Sequence, residues 1–544
     1  MDVINAFHLG GMFLPGAGND FYAANLQQTL EQDTIPNAIS SPPQPLNQNT
    51  NGMPTPDESS PGVPASGLPP IYQMVELTEI FFEKLYPSLP ILHKPTILSK
   101  LKSGGVDAVP QVLLLAIATA SARFHRDQKL RDLGDDWFKD CRSKLTDVMR
   151  AADHGLETLQ AAMIITLESA VRLDFASAVM LLAETWRKAV ALGYNQVDGK
   201  RKVKLFALGG TSSELGWIEA EEARRVVWSI LIIDRGLCFP IGLLHVLDDK
   251  VLVLDFPMSD EIFQEEDTTE MTAPKVEAVR YCKDFDKLIT AVQSYSRKST
   301  PIVYHYIILA YVLMGRISEE LYAPEFDYET CSHSLDKLAE HLVRIRLILP
   351  RSCSDLAVAD QADLGNIVWL HAILNSDAIM IHHRPKAATQ NPDEPSEHDS
   401  NWPHCRAAGR NTIKLVREAT KSSSDFLYNT QICTPIFFSF LTTLLDYMDP
   451  SPSDATPAKA KPIKYDLEMF INIMTRQREI FPGIGIKYCG GARFYLSKDA
   501  EYLIAGKATG MREFLGTCDQ WTTQFSDDEL VIPDRPHLQA TDTK

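Results

Sequence analysis

From Ile71 onward, apolar residues recur every three or four positions, the period of helices that turn one face to a core. Gln111–Phe124 (QVLLLAIATASARF) is apolar nearly all round, as a helix buried on every side would be. Leu156–Leu173 and Ala176–Leu192 follow with helical spacing, and Gly193 stands where a helix end takes a left-handed residue. Glu219–Asp234 predicts another long helix, and further ones are expected near 275–295, 301–321, 330–348, 361–382, 403–422, 434–448, 464–477 and 496–515. Alternation with period two is scarce; Lys250–Leu254 is the best strand candidate. Asp449–Pro462 and Asn391–Trp402 read as polar loops. Gly483–Gly485 and Gly490–Gly491 near Pro482 read as a glycine-rich loop whose spacing matches no phosphate cradle and which would flank an effector pocket. No fixed-period repeat appears, which argues against a solenoid. The expected fold class is all-α: one large domain of many packed helices.

Residues 1–70 interrupt that pattern. They hold no Lys, Arg or Cys, six acidic residues, and ten prolines within Pro36–Pro70. Such a segment buries too little apolar surface to offset its ordering entropy, so disorder is expected. Phe7, Phe13, Phe21 and Tyr22 near Asp20 give it the acidic-aromatic look of an activation segment, although a plain linker is the preferred reading. Over the whole chain of 544 residues, 53 basic residues face 71 acidic ones, for a net charge of −18. That field repels phosphate backbones and argues against the bulk of the chain lying on DNA or RNA. The nine cysteines are scattered, never closer than 22 residues, with no C-x-x-C pair. They read as reduced thiols and not as a disulfide framework or a local zinc cluster. The longest apolar runs, Val112–Ala118 and Val226–Ile233, fall short of the ~20 residues of a membrane span. With no basic-then-apolar start, a soluble intracellular protein without membrane contact is expected.

Three stretches carry a family likeness. Phe81–Leu98 (FFEKLYPSLPILHKPTIL) has a helix stopped at Pro87 and Pro90, because proline lacks an amide donor and constrains its predecessor; His93 follows as a turn residue bonded to backbone. Glu222–Gly242 (EARRVVWSILIIDRGLCFPIG) is the most specific. Glu221 precedes Arg224 by three residues and Arg225 by four, a helix-stabilising ion-pair spacing. Trp228 joins the apolar stripe, Asp234 and Arg235 close the helix, Gly242 ends the motif, and Asp255–Pro257 forms a short exit. The Arg pair is expected to be structural rather than a nucleic-acid contact. Leu370–Pro385 (LHAILNSDAIMIHHRP) ends in His382, His383, Arg384 and Pro385; the two histidines point to different faces and are expected to pack and to terminate the helix.

In this order the stretches resemble the middle homology region of fungal zinc-cluster (Zn2Cys6) transcription factors, over roughly residues 71–422. Val227 departs from the family where a second aromatic is common, and Leu243–Leu244 replaces an Arg-Pro. The resemblance implies an all-α regulatory domain, with 423–544 as its helical extension around a Pro-rich loop at 449–462. It also implies a nuclear, pathway-specific transcription regulator, such as one serving a secondary-metabolite gene cluster. Its implied partners are the transcription machinery or a related factor, in a homo- or heterodimer, with a small-molecule effector. The family's zinc module needs paired cysteines beside Lys and Arg, which residues 1–70 lack. DNA is therefore expected to be reached indirectly or through a module encoded upstream, and zinc is expected only with that module. One alternative is a finger-less adaptor for a full-length relative. The other is a Mg²⁺-dependent, terpene-synthase-like enzyme, for which Asp135-Asp136-Trp137-Phe138-Lys139-Asp140 resembles a diphosphate-binding acidic box without its second metal motif. No catalytic, cofactor or metal residue is otherwise expected.

Overall fold

The computed structural model describes residues 67–151, 155–200, 215–238, 242–265, 274, 277–323, 328–384, 397–449, 457–516, 528 and 530–533. The expectations for residues 1–66, for Pro385 and for 391–396 and 450–456 lie outside these residues. Among the described residues the regular structure is helical, without a strand. An isolated antiparallel bridge joins Asp255 to Arg280.

Among the described residues, sixteen helices of ten or more residues carry the fold. They are α1 (Ile71–Lys84), α2 (Lys94–Gly104), α3 (Gln111–Ala122), α4 (Gly134–Arg150), α5 (Leu156–Val171), α6 (Phe175–Ala191), α7 (Trp217–Cys238) and α8 (Phe285–Lys298). They continue with α9 (Val303–Leu321), α10 (Tyr328–Ile348), α11 (Leu364–His382), α12 (Glu397–Ala419), α13 (Cys433–Met448), α14 (Pro457–Ile480), α15 (Pro482–Leu496) and α16 (Ala500–Thr509). The apolar α3 is buried from Val112 to Ala122 and packs on α1, α4 and α5. Helix α7 then joins α5 and α6 to α9, and α9 leads through α11 to α12 and α13. Every residue of α13 is buried, so its all-round apolar face is matched by neighbours on all sides. Short polar caps start the amphipathic helices. Asp174 accepts from Ser177 N–H at 3.1 Å before α6, and Asp284 from Lys287 N–H at 3.2 Å before α8. Gly193 adopts φ 79° after α6, as expected of a left-handed residue past a helix end.

Three expectations are corrected. Lys250–Leu254 is not a strand: Asp248 caps a 3₁₀ turn at Asp249–Val251, and the chain then runs extended to Asp255. The glycine-rich 483–491 segment is not a loop but lies in α15. A Cβ on Gly483 would overlap the Val171 carbonyl, and one on Gly485 would overlap the Arg478 backbone. These glycines let α15 pack directly on α14 and on the end of α5, a tertiary gain that overrides their poor helix propensity. The polar segments at 391–402 and 449–462 are shorter than expected, because α12 begins at Glu397 and α14 at Pro457. The stretch Gln361–His382 has the length and apolar character to cross a membrane, but 83% of its apolar window is buried by the chain's own helices. It is a core helix of this domain.

Candidate functional site

Helix α7 organises the site, with one ionic cluster at each end. In its first half, Glu221 is fully buried. Its carboxylate receives Arg225 Nε at 2.8 Å, the Arg224 guanidinium, and Met258 N–H at 2.9 Å. Arg224 turns outward and makes a two-pronged bond to Asp198, at 2.8 and 2.9 Å. Asp198 also accepts Asp255 N–H at 2.8 Å, and its carboxyl is held below the usual range against the cost of burial by Arg224.

Arg225 reaches the other way. It donates to Asp260 at 2.6 Å, to the Met258 carbonyl at 2.7 Å and to Tyr86 OH at 3.1 Å, and lies over the Phe263 ring at 4.2 Å. Five donors in a fixed fork suit it to joining several acceptors at once. Here they join α7 to the Tyr86–Pro90 turn, the exit loop 255–258 and the short helix Asp260–Phe263. Both arginines of the pair are thus engaged by carboxylates of the fold itself.

Pro87 and Pro90 lie in that turn, Pro87 inside a 3₁₀ turn at Tyr86–Ser88 that ends α1. Three residues beyond Pro90, His93 caps α2: its Nδ1 accepts from Thr96 N–H at 3.3 Å while its ring packs on Phe263 at 5.0 Å. Burial holds this imidazole down at about 4. The His93 N–H donates to Glu222 at 2.8 Å, and desolvation pushes the Glu222 carboxyl up to about 7. Trp228 donates its indole N–H to the Asp255 carbonyl at 2.9 Å and meets Phe256 and Tyr281 edge-on.

The second cluster lies one turn before the end of α7, which continues to Cys238 rather than closing at Asp234 and Arg235. Arg235, 1% exposed, donates to Asp234 at 2.7 Å and to the Leu247 carbonyl at 2.8 Å and faces Asp249 at 3.6 Å. Asp234 in turn accepts Val246 and Leu247 N–H. Asp249 also receives Arg316 at 3.0 Å and the Tyr281 hydroxyl, and it stays ionised below the usual range beside Arg316 despite burial. Gly242, at φ 67°, lets the chain turn against Tyr322, whose ring would lie 2.7 Å from a Cβ. Residues 239–241 of the motif lie outside the described residues.

The third stretch is a separate joint. His383 ends α11, with Nε2 3.2 Å from the Gly506 and Lys507 carbonyls of α16. Its own carbonyl accepts Met511 N–H at 3.0 Å. Arg384 binds the Ile381 carbonyl, Ser332 and Asp336, tying the end of α11 to α10. His382 points elsewhere, stacked on His404 at 4.4 Å, so the two adjacent imidazoles are not brought together.

The acidic box at 135–140 starts α4, but its carboxylates engage separate cations. Asp135 meets Arg172 at 3.1 Å, Asp136 meets Lys139 at 3.6 Å, and Asp140 meets Lys144 at 2.6 Å. Among the described residues no group of three or more His, Cys, Asp or Glu is arranged to hold a metal.

Beside the first cluster opens a cleft of about 260 Å³, between α7, the exit loop, the last turn of α8 and the start of α9. Trp217, Ala220, Phe256, Met258, Tyr295 and His305 contribute to its walls. The sequence pointed to neither His305 nor the acceptors Asp198 and Asp260, since no spacing rule links residues this far apart.

Comparison with known proteins places these clusters in context. Residues 78–346 match the fungal specific transcription factor domain. A Zn(2)-C6 fungal-type transcription factor of Fusarium oxysporum f. sp. lycopersici is 27% identical over 197 residues, 35% of this chain and 20% of that protein. The ascochitine biosynthesis cluster transcriptional regulator of Didymella fabae is 26% identical over 35% of this chain and 32% of its own length. The pigment biosynthesis transcriptional activator pigB of Monascus ruber is 25% identical over 34% of each. The matched segment therefore spans about a fifth to a third of these relatives. No solved structure matches. The motif clusters of α1–α2, α7 and the exit loop all fall inside the matched segment, and this chain carries the fungal specific transcription factor domain over residues 78–346.

Proposed function

We propose that the chain regulates transcription in the nucleus, as the regulatory part of a pathway-specific fungal factor. The observation that carries this reading is the domain match over 78–346, which contains both ionic clusters of α7. Relatives named as regulators of ascochitine, pigment and citrinin biosynthesis support a gene-cluster role. The chain has no C-x-x-C pair and a net charge of −18, so contact with DNA is assigned to a partner or to a zinc module outside this sequence. A small-molecule effector belongs to the same reading.

The test is to fuse the full chain to an unrelated DNA-binding domain and to read reporter output, with transcript profiling of a deletion strain beside it. The reading expects altered reporter output and a restricted set of changed transcripts. Unchanged output together with unchanged transcripts would overturn it. In the same preparation, Mg²⁺-dependent turnover of a prenyl diphosphate that is lost in Asp136→Ala would favour an enzyme instead. The separate cation engaged by each carboxylate of the box speaks against that result.

A further inference from the structure

Helix α10 packs on α8, α9 and α11 and buries Leu335, Leu338, Leu342 and Ile345. The opposite face of such a helix is ordinarily polar, because it meets water. Near the C-terminal end of α10 it is not. Val343 and Leu347 stand one turn apart on that face, 54% and 79% exposed. Single exposed apolar residues are ordinary, but two on consecutive turns of one face leave an apolar strip that gains by being covered.

The charges around this strip are sorted along the helix. One turn before Val343, Glu340 is exposed and has no hydrogen bond or ion pair among the described residues. Four residues after Leu347, the Arg351 side chain is 78% exposed. Asp355 takes its Nε and Nη2, each at 3.2 Å, which leaves Nη1 for a further acceptor. Two other charges nearby are committed elsewhere: Asp336 to Arg384 at 2.8 Å, and Arg344 to Asp286 and Thr290. The available features therefore run from acid through apolar to base.

A surface with the same features in reverse order fits this one, and a second copy of the chain turned about a two-fold axis presents it. With the axis between Val343 and Leu347, each Val343 meets the partner's Leu347. Each Glu340 then lies toward the partner's Arg351. Parallel pairing would instead set Glu340 against the same carboxylate of the other copy. We propose that α10 is the contact face of a homodimer, packed antiparallel on α10 of a second chain. One helix pair lies at the small end of specific interfaces, so a dissociation constant of about 1–50 µM is expected. The assignment does not rest on the regulatory reading, since association is measured on purified chain and output in the reporter.

The test is sedimentation equilibrium of the full chain, at concentrations from about 1 to about 200 µM so as to bracket that constant. The mass should rise from that of one chain to that of two. Leu347→Glu should remain a single chain throughout. Glu340→Arg and Arg351→Glu each turn two symmetric attractions into repulsions, and each should weaken the dimer about tenfold. The double variant Glu340→Arg, Arg351→Glu restores opposite charges across the axis and should associate more tightly than either single variant. All these positions are exposed, so the thermal midpoint, measured where the chain is monomeric, should stay near wild type and show that the variants fold. A single-chain mass over the whole series, undiminished association of Leu347→Glu, or a double variant no tighter than the single ones would overturn the assignment.

Discussion

Glu221 is a single, fully buried carboxylate with two arginines and a backbone amide on it. Removing one partner of such a cluster leaves the other charge buried and uncompensated, which typically costs about 3–5 kcal/mol. Glu221→Ala is therefore expected to lower the unfolding free energy by an amount of that order, read as a fall in urea midpoint. A substitution at Glu83, whose carboxylate is exposed, should change it by less than about 0.5 kcal/mol. Its neighbour Glu222 has the opposite problem. Its carboxyl is raised to about 7 from an ordinary 4.5, so the native state holds a proton that the unfolded chain releases. Between pH 4.5 and 7 that difference makes this group's contribution to stability fall as pH rises. Glu222→Gln keeps an acceptor for the His93 N–H and removes the titration. The variant should be close to wild type at pH 4.5 and more stable than it above pH 7, and equal pH profiles would refute this. Of these two carboxylates, the i,i+3 and i,i+4 pairing of Glu221 was legible in the sequence. Asp198, Asp260 and the 258 amide were not, because they reach α7 through the tertiary fold alone.

At the scale of elements, α15 shows where propensity misleads. Its glycines looked like a loop because each weakens an isolated helix. In the fold, Gly483 and Gly485 let backbone approach backbone, and Leu173 takes a left-handed φ of 66° at the same joint. Gly483→Ala must displace the Val171 carbonyl and is expected to cost more than about 2 kcal/mol, whereas Gly216→Ala meets no atom and should be near neutral. Thermal unfolding of the two variants side by side checks this, and equal effects would remove the packing explanation. The helices themselves were legible, since their apolar stripes follow from burial. Lys250–Leu254 was not, because its short apolar alternation is shared by a strand and by an extended segment pinned between Asp248 and Asp255.

For the whole molecule, the matched segment and the folded unit differ in extent. The match ends at residue 346, but α9 and α10 pack on α11, and α15 packs back on α5. A chain ended at residue 346 would expose the apolar faces that α11, α13 and α15 cover. It is expected to be aggregated or molten, without cooperative thermal unfolding, whereas the full chain melts in one transition from Ile71 onward. A sharp transition in the truncated chain would show that the matched segment folds alone. This dependence was partly legible: the helical pattern continues past residue 422 and resumes after the Pro-rich stretch at 449–462. Which helix closes on which was not, since contacts such as α5 with α15 leave no periodic trace.

The exit loop 255–258 is held from two sides. Glu221, Arg225 and Trp228 fasten its amides and carbonyls from α7, Asp198 holds the Asp255 N–H from the segment after α6, and His305 fastens Pro257 from α9. Opening it locally would break bonds to both helices at once, so its amides should report the clock of the core and not that of a loop. In deuterium, the Asp255 and Met258 N–H groups should persist as long as those in the middle of α7.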